Sequence, residues 1–89
     1  MVMSIFDIPY QLADLDAEIK RVSEEHAETV EQLQFMVQRL QNTDQYETFS
    51  QYQSDYDDAM TYADLEEEHR KRHNQLVEEY NTLAERMNA

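Results

Sequence analysis

The sequence predicts an all-α protein: an antiparallel helical hairpin with coiled-coil-like packing, completed by self-association. Three observations carry that expectation. The 89 residues contain no Gly and a single Pro, Pro9, whereas strand and hairpin folds usually need turn residues that tolerate positive φ. Apolar residues step by three and four through two long segments, as a helix seam requires. Between those segments only Asn42-Thr43-Asp44 reads as a break. A chain of this length buries only about 60 per cent of its unfolded surface, so it forms one small domain that gains from regularity or a second copy.

Residues 1–8 read as a short apolar arm containing Val2, Met3, Ile5, Phe6 and Ile8, too apolar to leave in water. Ile8-Pro9 suits a first helical turn, with Asp7 placed to cap it. The first helix is expected over residues 9–41, on the seam Leu12, Leu15, Ile19, Val22, His26, Thr29 or Val30, Leu33, Met36 or Val37, and Leu40. Thirty such residues make a rod of about 45 Å, which one further helix could cover. Residues 42–44 form the turn. Thr43 or Asp44 is placed to cap the second helix, and Asp44 with Glu47 has capping-box spacing.

The second helix is expected over residues 45–88. Its seam is Tyr46, Phe49, Tyr52, Tyr56, Ala59 or Met60, Ala63, Leu65, His69, His73, Leu76, Tyr80, Leu83 and Met87. Ser54-Asp55 could cap a fresh start, which leaves two and three helices both open.

Charge is the strongest functional signal. Twenty acids against seven bases give a formal charge of −13, which repels nucleic acid and anionic membrane and attracts cationic protein surfaces. No direct nucleic-acid or membrane partner is expected. The absence of Cys removes disulfides, thiol nucleophiles and Cys-based metal sites. The start lacks a basic n-region with a long apolar stretch, and no apolar run approaches the roughly 20 residues of a membrane helix. A cytoplasmic location is the expectation.

From Leu40 to His69 there are nine carboxylates and neither Lys nor Arg. If the chain reverses near residue 43, residue i lies opposite 86 − i, because both helices rise equally per residue. That map sets Asp14, Asp16 and Glu18 against Arg70, Lys71 and Arg72, and Lys20 and Arg21 against Glu66. Toward the turn it sets Glu28 against Asp58 and Glu31 against Asp55. Between residues 24 and 64 there are ten acids against Arg39 alone, a balance of −9 that leaves only −4 for the rest of the chain. Acids massed this way repel one another. Solubility alone is one reading of such a face. The other is a site for a basic protein groove, since carboxylates on successive turns recur about every 5–6 Å, near enough to backbone phosphates for Lys and Arg to engage them.

The expected function is therefore that of a small non-enzymatic binding protein that inhibits a nucleic-acid-handling protein by DNA mimicry. The expected partner-binding residues are Glu28, Glu31, Tyr52, Asp55, Tyr56, Asp57, Asp58, Tyr62 and Asp64. Tyrosine joins a large apolar body to a hydroxyl and so serves as an interface anchor. One alternative is a coiled-coil adaptor or assembly chaperone acting through Leu12, Leu15 and Ile19 and the arm. Another is a metal-dependent helical assembly, because Glu66-x-x-His69 and His69-x-x-x-His73 have ligand spacing on a helix face. No cofactor is expected. Ser4, Ser23, Ser50 and Ser54 have no His and acid arranged around them, and a two-helix rod rarely supplies the concave, dry site that catalysis needs.

Overall fold

A computed structural model describes residues 7–88 and gives two long helices joined by one tight connection. Helix α1 spans Ile8–Gln41 and helix α2 spans Phe49–Asn88, with a 3₁₀ turn at Thr43–Gln45 between them. They pack along their lengths as a hairpin, and no strand occurs among the described residues. Helices of 34 and 40 residues are about 51 and 60 Å long, which accounts for a rod of 63 × 19 × 15 Å. Of the apolar arm, Val2, Met3, Ile5 and Phe6 lie outside the described residues, while Ile8 opens α1.

The ends of the helices are closed locally. Asp7 occupies the N-cap position of α1, where its carbonyl accepts the Gln11 N–H at 3.1 Å, but its side chain makes no capping bond. At the other end, the last-turn carbonyl of Arg39 accepts from the Asn42 N–H at 3.2 Å and from Gln45 Nε2 at 2.6 Å. These bonds satisfy a carbonyl that the ending helix would otherwise leave open.

Helix α2 begins four residues later than the sequence predicts. Its entry is fixed by Thr48 and Gln51 rather than by Asp44 and Glu47. Thr48 Oγ1 accepts the Gln51 N–H at 3.2 Å, and Gln51 Oε1 accepts the Glu47 N–H at 3.0 Å. This is a reciprocal arrangement of the capping-box kind, displaced by one residue on the return bond. Beyond it α2 passes through Ser54 without a break, so the described chain has two helices and not three.

The later start shifts the alignment. Glu25 meets His69 and Arg39 meets Asp55, so residue i faces a residue near 94 − i and not near 86 − i. The connection occupies residues 42–48, which moves the point of reversal toward Glu47. Lys20 and Arg21 consequently do not meet Glu66. Lys20 pairs with Asp16 at 3.0 Å and Arg21 with Glu25 at 2.8 Å, both within α1. One interhelical pair of opposite sign does form at the open end, where Arg72 donates to Glu18 at 2.9 Å.

The core is a thin seam. Ile8, Leu12 and Leu83 form a buried cluster at the open end, with Leu15, Tyr80 and Ala84 packed against it. Leu76 is fully enclosed, and Val22, Met36 and Ala59 continue the seam toward the turn. Midway the seam becomes polar. Buried Thr29 donates its hydroxyl to the Glu25 carbonyl at 2.9 Å, and His69 Nδ1 lies 3.3 Å from the same oxygen. Since the one hydroxyl hydrogen is committed to the carbonyl, Nδ1 carries the hydrogen and donates. Beside them His26 Nε2 lies 3.4 Å from Glu66 Oε1.

Candidate functional site

The acids of the turn-end half divide by environment. Asp55 is internal to the fold: its Oδ2 accepts the Tyr46 hydroxyl at 2.7 Å and pairs with Arg39 Nη2 at 3.2 Å, and the side chain is largely covered. Arg39 also lies over the Phe35 ring, 5.8 Å from its centroid. This cluster ties the connection to both helices, so Asp55 belongs to the fold and not to a free surface. The expected facing of Glu31 with Asp55 does not occur, because Arg39 takes that place.

Partial burial, followed by the hydrogen bond to Asp55, pushes the Tyr46 hydroxyl above the ordinary tyrosine value of 10.0. A raised folded value means that this group's stabilising contribution is complete below pH 10 and is lost as pH rises through the higher folded value. Thermal melts at about pH 9 and about pH 11 should therefore show a larger alkaline loss in the native chain than in Tyr46→Phe. An equal loss in both would contradict the Tyr46–Asp55 bond.

The other expected partner-binding acids, Glu28, Glu31, Asp57, Asp58 and Asp64, are exposed and take no part in the ion pairs among the described residues. Asp57 accepts only a neutral bond, from Gln53 Nε2 at 3.1 Å. Glu25 of this half pairs with Arg21, and outside residues 24–64 Asp16 pairs with Lys20, Glu18 with Arg72, and Glu67 with Lys71 at 3.0 Å, while Asp14, Glu68, Glu78, Glu79 and Glu85 take part in no ion pair among the described residues. The hydrogen bond from Lys71 holds the Glu67 carboxyl below its ordinary value of 4.5.

These residues do not form one face. At about 100° per residue, with buried Ala59 marking the seam, Asp58 points to one flank of α2 and Asp57 points nearly directly away from the seam, about 160° from Ala59. One flank carries Asp58 and Tyr62, and Tyr62 lines a shallow cleft with Glu28 and Glu31 of α1. The other carries Tyr56, and Asp57 and Asp64 lie beyond it on the outward side of α2, about 140–160° from Ala59.

The tyrosines are ordered by stacking. Tyr52 is half-buried; its ring lies 6.3 Å from Phe49 and 6.5 Å from Tyr56 in near-parallel orientation, and Tyr46 meets it edge-on at 5.4 Å. Phe49, a seam position by sequence, is exposed. The late start of α2 explains this, since Tyr52 rather than Phe49 is the first aromatic to reach the seam.

The residues of the two alternative readings are occupied otherwise. Leu12 is buried beneath α2, with Leu15 packed against it, so the seam proposed for an adaptor is largely consumed by the hairpin. Glu66 faces His26, whereas His69 faces Thr29 and, at 3.8 Å, Glu25. No group of three His, Asp or Glu converges as a metal site among the described residues. No described helix is long and apolar enough to cross a membrane. No protein-family model matches the chain, and neither curated proteins nor solved structures show significant similarity to it.

Proposed function

We propose that the chain is a small non-enzymatic binding protein whose turn-end half engages a basic protein surface, and that it inhibits a nucleic-acid-handling protein by occupying its cationic groove. The observation that carries the reading is the distribution of bases along the chain. Six of the seven Lys and Arg residues lie outside residues 24–64, Glu28, Glu31, Asp57, Asp58 and Asp64 meet no cation, and the one base within that span, Arg39, is committed to Asp55. Unpaired acids on a thin rod raise its self-repulsion, a cost that neutral Gln or Ser would avoid and that a cationic partner would relieve. Glu28 and Asp58 on one flank and Asp57 and Asp64 on the outward side of α2 spread negative charge around a rod 19 Å across its wider section, where the Lys and Arg of a cationic groove could engage it.

The test is capture from a lysate of the native host on immobilised protein, with mass-spectrometric identification and elution by salt or by duplex DNA. The expected result is a basic, nucleic-acid-binding protein released by competing DNA and by about 1 M salt, where the Debye length is near 3 Å. A neutral or acidic partner that survives both treatments would overturn the reading and restore an apolar adaptor.

A further inference from the structure

One flank of the turn-end half combines its charge with exposed apolar side chains. Phe49, Tyr56 and Met60 are 76%, 44% and 48% exposed, and Val37 of α1 is 41% exposed. Positions i, i+7 and i+11 fall within about 40° of one another on a helix, so the three α2 residues form one stripe, about 16 Å long or three turns. With residue i facing a residue near 94 − i, Val37 lies across from Tyr56 and Asp57, on the same side of the seam as the stripe. Asp57 and Asp64 border the stripe on the side away from α1, at about 60–80° from it. The stack from Phe49 through Tyr52 to Tyr56 holds two of these rings in place.

We propose that this flank receives a cationic amphipathic helix of about three turns, its apolar face on Phe49, Tyr56, Met60 and Val37 and its Lys or Arg margin on Asp57 and Asp64. The inference rests on the basic-partner reading and specifies that partner's chemistry. A second copy is the poorer occupant. A two-fold contact sets the same patch against itself, which would bring Asp57 and Asp64 toward their own counterparts in two chains that each carry −13. Peptide helices commonly bind by laying an apolar face into such a stripe, with charge selecting the partner.

The probe is a synthetic amidated peptide of about fourteen residues built from Leu and Lys, with Leu at i, i+3, i+4 and i+7, beside a control of equal charge in which Gln replaces Leu. Titrated against the full chain at about 0.15 M salt, the Leu/Lys peptide should bind at least about 10-fold more tightly than the control. Phe49→Gln with Met60→Gln should erase that ratio, whereas Glu28→Gln with Glu31→Gln and Asp58→Asn should weaken both peptides and preserve it. Equal binding of both peptides would overturn the inference and leave a purely electrostatic basic partner standing. Binding of neither would overturn both readings. A dimer in sedimentation that Met60→Glu splits would overturn the inference in favour of a second copy on the stripe.

Discussion

Replacing Leu76 by Ala is expected to lower unfolding stability by about 2–5 kcal/mol, the largest loss of any single truncation in the rod. Leu76 is 0% exposed, the one large side chain fully enclosed among the described residues, and Ala would leave a void that two packed helices cannot close by local relaxation. A domain of 89 residues has a net stability of about 4–13 kcal/mol at the usual 0.05–0.15 kcal/mol per residue. The variant should therefore lose a substantial part of its stability, read as a lower urea midpoint with little change in slope. Leu65, exposed on α2, is the control: its truncation should cost under about 1 kcal/mol.

The polar layer in the seam should give the second large effect. Thr29→Val removes the hydroxyl oxygen that His69 Nδ1 reaches and leaves a largely covered imidazole N–H without its partner, at an expected cost of about 1–3 kcal/mol. Adding His69→Leu removes the orphaned group as well. The double variant should recover the loss and reach or exceed native stability, because replacing both members of a buried polar pair by apolar groups is often neutral or favourable. The gain should come with weaker specification. A polar position within an apolar seam fixes register and association state, so the double variant should form dimers or larger species in sedimentation where the native chain forms fewer. An unchanged melt for Thr29→Val alone would contradict the assignment of Thr29 and His69 as a bonded pair.

The fold class was legible because a chain without Gly, stepping apolar residues by three and four, has few alternatives. Helix α1 begins and ends within a residue of its expected limits for that reason. The connection was misread at a specific place. Asp44 with Glu47 has capping-box spacing, but Thr48 with Gln51 has it too, and hydrogen bonding selects the later pair. Four residues at the start of α2 then moved the alignment along the whole rod, separating Lys20 and Arg21 from Glu66 and bringing Arg39 to Asp55. Sequence spacing alone could not reveal that Asp55 is consumed by the fold, since its partners Arg39 and Tyr46 come from the other helix and the connection. The divergence of the acids was legible in principle: Asp57 and Asp58 differ by about 100° on any helix. What required the structure was the seam's direction: buried Ala59 sets Asp58 on a flank and Asp57 on the side of α2 that faces away from α1.

The unpaired acids of the turn-end half are proposed to hold a cationic partner, and every functional expectation for the chain depends on that role. The most direct test is the affinity of the captured partner for a variant carrying Glu28→Gln, Glu31→Gln, Asp57→Asn, Asp58→Asn and Asp64→Asn. These amides keep side-chain shape and remove five charges from positions that make no ion pair. The predicted result is a loss of about 10–100-fold in affinity, with helicity retained and the melting temperature equal or higher because self-repulsion has fallen. Undiminished affinity in a folded variant would contradict that role and leave the acidity as a solubility device.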